Sequence, residues 1–302
     1  MLSRSTPLAS RFIDPRILAA SSNLQLIART VVEGFVAGLH RSPYHGFSLE
    51  FSEYREYTPG DDVRQVDWKV FGRSDRFYVK KFQGDTNTQV FILLDTSKSM
   101  TFSSHDVPKI DYARFLAAAL AYLAVRQGDA VGLLSFDSQI RRLTPPRTRH
   151  GHFLTLLHHL EHVEPRSETR ISEVLEELSR MIRKRSLVVI ISDFYAETDA
   201  LAKSLRFFHH RGNDVLLFHV LDPAELELPM EGISTLEDME TGDQIPFSAE
   251  HTRAAYLEEI GAHIRSLKRE CRNVRIDYEL MNSSHPLDQA LYRYLSARSR
   301  RT

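Results

Sequence analysis

Apolar residues change their period twice along this chain, and the changes mark out its organisation. Leu24, Ile27, Val31, Val32, Phe35 and Leu39 recur at steps of mostly three and four, which lines them along one face of a helix. Asp14-Pro15 ahead of them supplies a capping carboxylate and a first-turn proline. From Gly46 the step shortens to two. Phe47, Leu49 and Phe51 alternate with polar residues, and the strand this predicts runs into the turn residues Tyr57-Thr58-Pro59-Gly60. A short helix opening at Asp61 or Asp62, carrying Val63, Val66, Trp68 and Val70 and stopping near Gly72, is followed by a strand over 77–79. The expectation is an N-terminal segment with an amphipathic helix over 1–40, then a small β-rich lobe over 41–88 with Trp68 in its core.

Beyond residue 88 the rhythm changes again. An unbroken apolar run at 90–94, a second at 187–191, and the mostly apolar segments 131–136 and 215–220, with a fifth strand at 274–278, have the length and composition of strands buried on both faces. Helical periods at 110–126, 152–160, 171–182, 201–209, 256–271 and 286–297 separate or follow them. Parallel neighbours need helical crossovers, so the fold class predicted for 89–302 is α/β, with a doubly wound, mainly parallel, Rossmann-like sheet. Residues 140–143 read as a short edge strand stopped by Pro145-Pro146, and 234–247 as a hairpin excursion around Thr241-Gly242-Asp243. No internal repeat breaks this pattern.

Composition narrows the function classes. With 42% hydrophobic and 26% charged residues in 302, the chain can build a globular core. A net charge of -1 gives no overall attraction to nucleic acid or anionic membranes. Basic residues Arg64, Lys69, Arg73, Arg76, Lys80 and Lys81 do interleave with Trp68, Phe77, Tyr78 and Phe82, but acidic residues interrupt them, so no nucleic-acid partner is expected. The apolar runs are too short to span a bilayer, and residues 1–14 lack the features of a secretory signal, which makes the cytoplasm the expected location. A single cysteine, Cys271, excludes an intramolecular disulfide and a multi-cysteine zinc site. Neither a Gly-x-x-x-x-Gly-Lys-Ser/Thr loop nor a Gly-x-Gly-x-x-Gly turn is present, so any nucleotide belongs to a partner.

In sheets of this kind ligands bind where loops leave the carboxyl ends of the strands. The first such loop is Asp95-Thr96-Ser97-Lys98-Ser99, one carboxylate and two hydroxyls in a tight turn. Asp193 follows the strand at 187–191, and Thr169 precedes a helix in Ser167-Glu168-Thr169-Arg170-Ile171. Every ligand atom on offer is an oxygen, the preference of a hard cation such as magnesium, and so few carboxylates leave coordination positions open. His158 and His162, at i and i+4 beside Glu161, can hold zinc in principle. The spacing is not His-Glu-x-x-His, however, and Leu156, Leu157 and Leu160 look like ordinary core, so a structural helix is expected there.

Asp95, Ser97 and Ser99 in the first loop, Thr169 in the second and Asp193 in the third resemble the metal-ion-dependent adhesion site of the von Willebrand factor A fold. That resemblance implies that the hydroxyls bind a divalent cation, magnesium first with manganese or calcium as alternatives. The aspartates bind it directly or through water, and a partner's Asp or Glu fills a remaining position. The second loop lacks the glycines often found there, and Ser172 is the nearest substitute for Thr169. A denser match lies upstream, in Gly38-Leu-His-Arg-Ser-Pro-Tyr-His-Gly46, Glu50-Phe-Ser-Glu-Tyr-Arg-Glu-Tyr-Thr-Pro-Gly-Asp-Asp62 and Val63-Arg-Gln-Val-Asp-Trp-Lys69, and returns in the closing Pro286-Leu-Asp-Gln-Ala-Leu-Tyr-Arg-Tyr-Leu295. These segments resemble a bacterial von Willebrand factor A-like family of unassigned function, encoded beside MoxR-type AAA+ ATPases. The resemblance implies a non-enzymatic protein-binding module working with such an ATPase or its client. The runner-up is a metal-dependent phosphohydrolase with Asp95 as nucleophile, although such enzymes want a second Asp where this chain has Ser97.

Overall fold

The computed structural model describes residues 13–21, 23–39, 51–56, 78–82, 88–149, 151–166, 168–182, 184–229, 233–237 and 244–299. Helix α1 (Pro15–Ala19) opens on Asp14, whose carboxylate accepts from the Arg16 N–H at 2.9 Å. Asn23 does the same for the Leu26 N–H ahead of α2 (Leu24–Leu39). Strands β1 (Phe51–Glu56) and β2 (Tyr78–Phe82) pair antiparallel, with Glu56 opposite Tyr78. Of the strand expected over 47–51 only Phe51 lies among the described residues. The strand found there runs on to Glu56, because β2 offers a ladder of partners as far as Tyr78. The helix expected over 61–72, Trp68, and Arg64 to Phe77 of the basic and aromatic stretch lie outside the described residues.

β3 (Gln89–Asp95) illustrates how the sequence builds the rest. Val90, Ile92 and Leu94 face one core, and Phe91 and Leu93 face the other, as the two-residue period of a strand requires. After it come α3 (Lys109–Arg126), β4 (Ala130–Phe136), β5 (Ile140–Arg147), α4 (His152–Glu161) and α5 (Ile171–Met181). They are followed by β6 (Ser186–Ser192), α6 (Thr198–His210), β7 (Asp214–Leu221) and α7 (Pro223–Glu227). The antiparallel pair β8 (Ile233–Glu237) and β9 (Gln244–Ser248) forms the expected hairpin, and α8 (Ala249–Asn273), β10 (Asp277–Asn282) and α9 (Asp288–Ser299) close the chain. The large sheet has the order β10-β7-β6-β3-β4-β5, parallel throughout except where β5 joins β4. Helices α2, α3, α4 and α9 cover one face and α5, α6 and α8 the other. The Ala-rich α3 is buried along most of its length and lies across the middle of the sheet. Burying one Leu or Val side chain contributes about 1.5–3 kcal/mol, so the apolar residues of the two faces together hold the sheet between its helices.

Two edge strands differ from expectation. β5 continues through Pro145-Pro146 instead of stopping at 143, because an edge strand has no outer neighbour that needs the missing N–H groups. Those two residues oppose the single Gly132, a bulge between the pairs Val131–Arg147 and Leu133–Thr144. The last strand occupies Asp277–Asn282, not 274–278. Helix α8 runs to Asn273, and Arg275, at φ 57°, turns the chain in the left-handed region before the strand can begin. Cys271 is fully buried near the end of α8.

Buried hydrogen bonds join β4 to β5 beneath α4. His159 places Nε2 at 2.9 Å from the Ser135 hydroxyl and Nδ1 at 2.9 Å from that of Thr144. Burial, aided by the nearby Arg142, pushes the imidazole down to about 4. The unfolded chain takes up this proton near pH 6.5, so between about 6.5 and 4 the unfolded state binds more protons and this site loses stability as pH falls. Denaturant titrations of wild type and His159→Gln across pH 4–7 are expected to show wild type losing about 2–3 kcal/mol relative to the variant toward the acid end. A Cβ at Gly132 would lie 2.9 Å from Cδ of Pro146 and 3.0 Å from its backbone nitrogen. Gly132→Ala is therefore expected to cost about 1–3 kcal/mol in the same assay at neutral pH.

Candidate functional site

The strand order places a topological switch between β3 and β6, because the chain winds outward through β4 and β5 and then returns to the other side of β3. Crevices form at the carboxyl ends of such strands. Asp95 is the last residue of β3, and Asp193 follows the last residue of β6. The segment after α4 is strapped across the first loop: the Arg166 N–H donates to Thr96 O at 3.1 Å, and the Arg170 N–H to Asp137 O at 3.3 Å. That strap carries Thr169 to the site.

Four of the five sequence-predicted residues gather directly on one carboxylate and its loop. Asp95 Oδ1 accepts the Ser97 N–H at 2.9 Å, and the Thr169 hydroxyl lies 3.3 and 3.4 Å from the two carboxylate oxygens. The Ser97 and Ser99 hydroxyls are 3.0 Å apart. Among the described residues Ser172 makes no hydrogen bond to this cluster, and its carbonyl accepts from the Ser204 hydroxyl of α6. Asp193, the fifth residue, is fully buried like Asp95 and near enough for its charge to be felt there. Burial first, and then Asp193, push the Asp95 carboxyl up to about 7 against hydrogen bonds from Ser192 and Ser97. Ser99 and Thr169 are only half-buried, so the hydroxyl side of the cluster faces outward.

Sequence reasoning missed the other half of the site. Lys109, the first residue of α3, has no exposure, and its ammonium lies 2.9 Å from Asp193 Oδ2 and 2.6 Å from Glu225 Oε1. Its position opposes the helix dipole, and burial alone would lower its pKa, but the two carboxylates outweigh both and keep it charged. The Tyr195 ring stands 5.2 Å from the ammonium. Ser192 donates to Asp95 Oδ2 at 2.5 Å and accepts from the Phe194 N–H at 2.9 Å. Phe194 itself is held at φ 50°, a strained conformation for a bulky residue, with its ring packed in the core. Behind it His219 is buried, and burial, then His263, push it down to about 3, so it brings no positive charge. Only a hydroxyl beside an aspartate, as in Ser192-Asp193, offered a signal. A lysine in a first helical turn ordinarily reads as surface.

The charges do not balance. Asp193 and Glu225 share one ammonium, Asp95 is paired with hydroxyls and an N–H only, and among the described residues no donor reaches the buried Oδ1 of Asp193. An all-oxygen set with an orphaned carboxylate oxygen and three hydroxyls suits a hard divalent cation. Asp95, Asp193, Ser97, Ser99 and Thr169 are the residues able to hold it.

Solved structures share this architecture. BatB of Bacteroides thetaiotaomicron superposes with a TM-score of 0.50 at 16% identity, covering 70% of this chain and 99% of that one. An aerotolerance-related membrane protein of Bacteroides fragilis does so at 0.50 and 19%, covering 69% and 98%. These likenesses are of fold. Among the described residues no helix is long and apolar enough to cross a membrane. In sequence, the uncharacterized protein Rv1480 of Mycobacterium tuberculosis is 31% identical over 264 residues, 86% of this chain and 82% of its own length. Residues 53–266 match the family described as "Protein of unknown function DUF58", and the chain, with its von Willebrand factor A-like α/β fold, belongs to that family.

Proposed function

We propose that this protein is a binding module that captures an acidic side chain of a partner protein through a divalent cation held by Asp95, Ser97, Ser99, Thr169 and Asp193. The observation that carries the reading is the charge imbalance at the β3–β6 switch, above all the buried Oδ1 of Asp193, which no donor reaches among the described residues. The oxygen-only donor set favours magnesium, with manganese or calcium also admissible. When bound, the cation supplies positive charge and an open coordination position for a carboxylate.

The chain's own residues prepare that capture. Ser192 and the Ser97 N–H hold the Asp95 carboxylate in one orientation. The strap through Arg166 keeps Thr169 at the rim, and the half-buried Ser99 and Thr169 leave the approach open on that side. Lys109 holds Oδ2 of Asp193, whose Oδ1 has no donor among the described residues. Binding is favoured over phosphate-ester hydrolysis, because Ser97 fills the position where a second carboxylate would act as general acid. The family resemblance supports a MoxR-type AAA+ ATPase, or its client, as the partner.

Thermal and denaturant unfolding with and without magnesium test the cation. At a hundred times its Kd, magnesium is expected to stabilise wild type by about 2.7 kcal/mol and Asp95→Asn not at all. Immobilised wild type is expected to retain a purified MoxR-type ATPase, with retention lost in Asp95→Asn or in chelator. Equal retention by the variant would remove the carboxylate-capture mechanism. Lys109→Met leaves Asp193 and Glu225 buried without their counter-charge, and in chelator it is expected to cost about 3–5 kcal/mol. Magnesium should then return more stability to this variant than to wild type.

A further inference from the structure

Helix α4 carries different chemistry on its two faces. Leu156, Leu157 and Leu160 are buried against the core, and His159 is buried between β4 and β5. His158 and Glu161, with His162 at the helix C-cap, are all exposed. The leucines that make the helix structural therefore take nothing away from the trio. One ligand atom from each of His158, Glu161 and His162 lies within 4.8 Å of the others, and the two imidazole rings have centroids 4.1 Å apart.

One ring has its tautomer fixed by the backbone. Nδ1 of His162 lies 2.8 Å from the carbonyl oxygen of His158, a distance at which the nitrogen must donate its N–H. That tautomer leaves the lone pair on Nε2, as in metal-bound imidazoles whose second nitrogen is held by a carbonyl. A cleft of about 390 Å³, lined in part by Asn23, Gln25, His158 and Glu161, leaves room beside the trio for water or a further ligand. Arg166, on the segment beyond, is paired with Glu164 at 2.5 Å, which offsets its repulsion of a cation.

We infer that His158, Glu161 and His162 form a surface site for a transition cation of the zinc class, separate from the oxygen-lined site. Two imidazoles and a carboxylate, with a fourth position for water, match zinc's preferences and are a poor set for magnesium. A cation there clips the last turn of α4, from which the strap bearing Thr169 departs.

Calorimetric titration of the full chain with zinc chloride, in saturating magnesium, tests the site. Wild type is expected to take up one equivalent. In the doubly substituted His158→Asn, His162→Asn protein that equivalent should bind roughly tenfold more weakly or worse, and Glu161→Gln should weaken it less. Asp95→Asn should leave the zinc isotherm unchanged, which separates this site from the proposed adhesion site. Because all three side chains are exposed and only one surface hydrogen bond is lost, the metal-free melting temperature of the double variant should stay within a few degrees of wild type. An unchanged isotherm in the double variant, no zinc uptake by wild type, or loss of uptake in Asp95→Asn alone would each overturn the assignment.

Discussion

Two carboxylates, Asp95 and Asp193, stand at the ends of neighbouring parallel strands with no exposure to water, and much of the surrounding structure serves to keep them there. A buried charge is costly unless it is paired or hydrogen-bonded. Here the compensation comes from a lysine at the start of α3, a serine at the end of β6 and a threonine delivered by a strap from α4. Each arrives from a different part of the chain. The doubly wound topology is what brings them together, since the winding direction reverses only at the β3–β6 boundary. Phe194 pays a conformational penalty to turn the third loop back on itself just after Asp193.

The sheet was legible because burial on both faces leaves little room for polar residues. β3 and β6 carry unbroken apolar runs for that reason, and β4 and β7 are interrupted only by Ser135 and His219, each hydrogen-bonded inside the protein. Edges are harder to read. β5 tolerates two prolines that end a strand anywhere else, and β10 alternates in burial, so its start is set by a left-handed Arg275 that no side-chain pattern announces. The three polar loops stood out against their apolar strands, which is why Asp95, Ser97, Ser99, Thr169 and Asp193 were legible as candidates. Lys109 and Glu225 were not. Both occupy first turns of helices, where charged side chains normally meet solvent, and only the folded chain reveals that these two meet each other.

Helix α4 shows how a single element misleads when read as one category. Its leucines and its exposed histidines are interleaved in sequence but separated by about half a helical turn in space, so evidence for packing on one side carries no information about the other. His159 belongs with the leucines, bound on both nitrogens inside the protein, although it lies between residues of the exposed set.

Glu225 has a double allegiance. One oxygen accepts from the Lys109 ammonium, and the other accepts from the Asp222 N–H as half of the capping box that opens α7. Asp222 in turn accepts from the Ser104 N–H at 2.9 Å, on the loop between β3 and α3. Helix initiation after β7 and neutralisation beside Asp193 are thus two ends of one lever. The lysine that neutralises Asp193 is therefore tied through one carboxylate to the first turn of α7, so the same side chain serves the switch point and the start of a helix more than a hundred residues further along the chain.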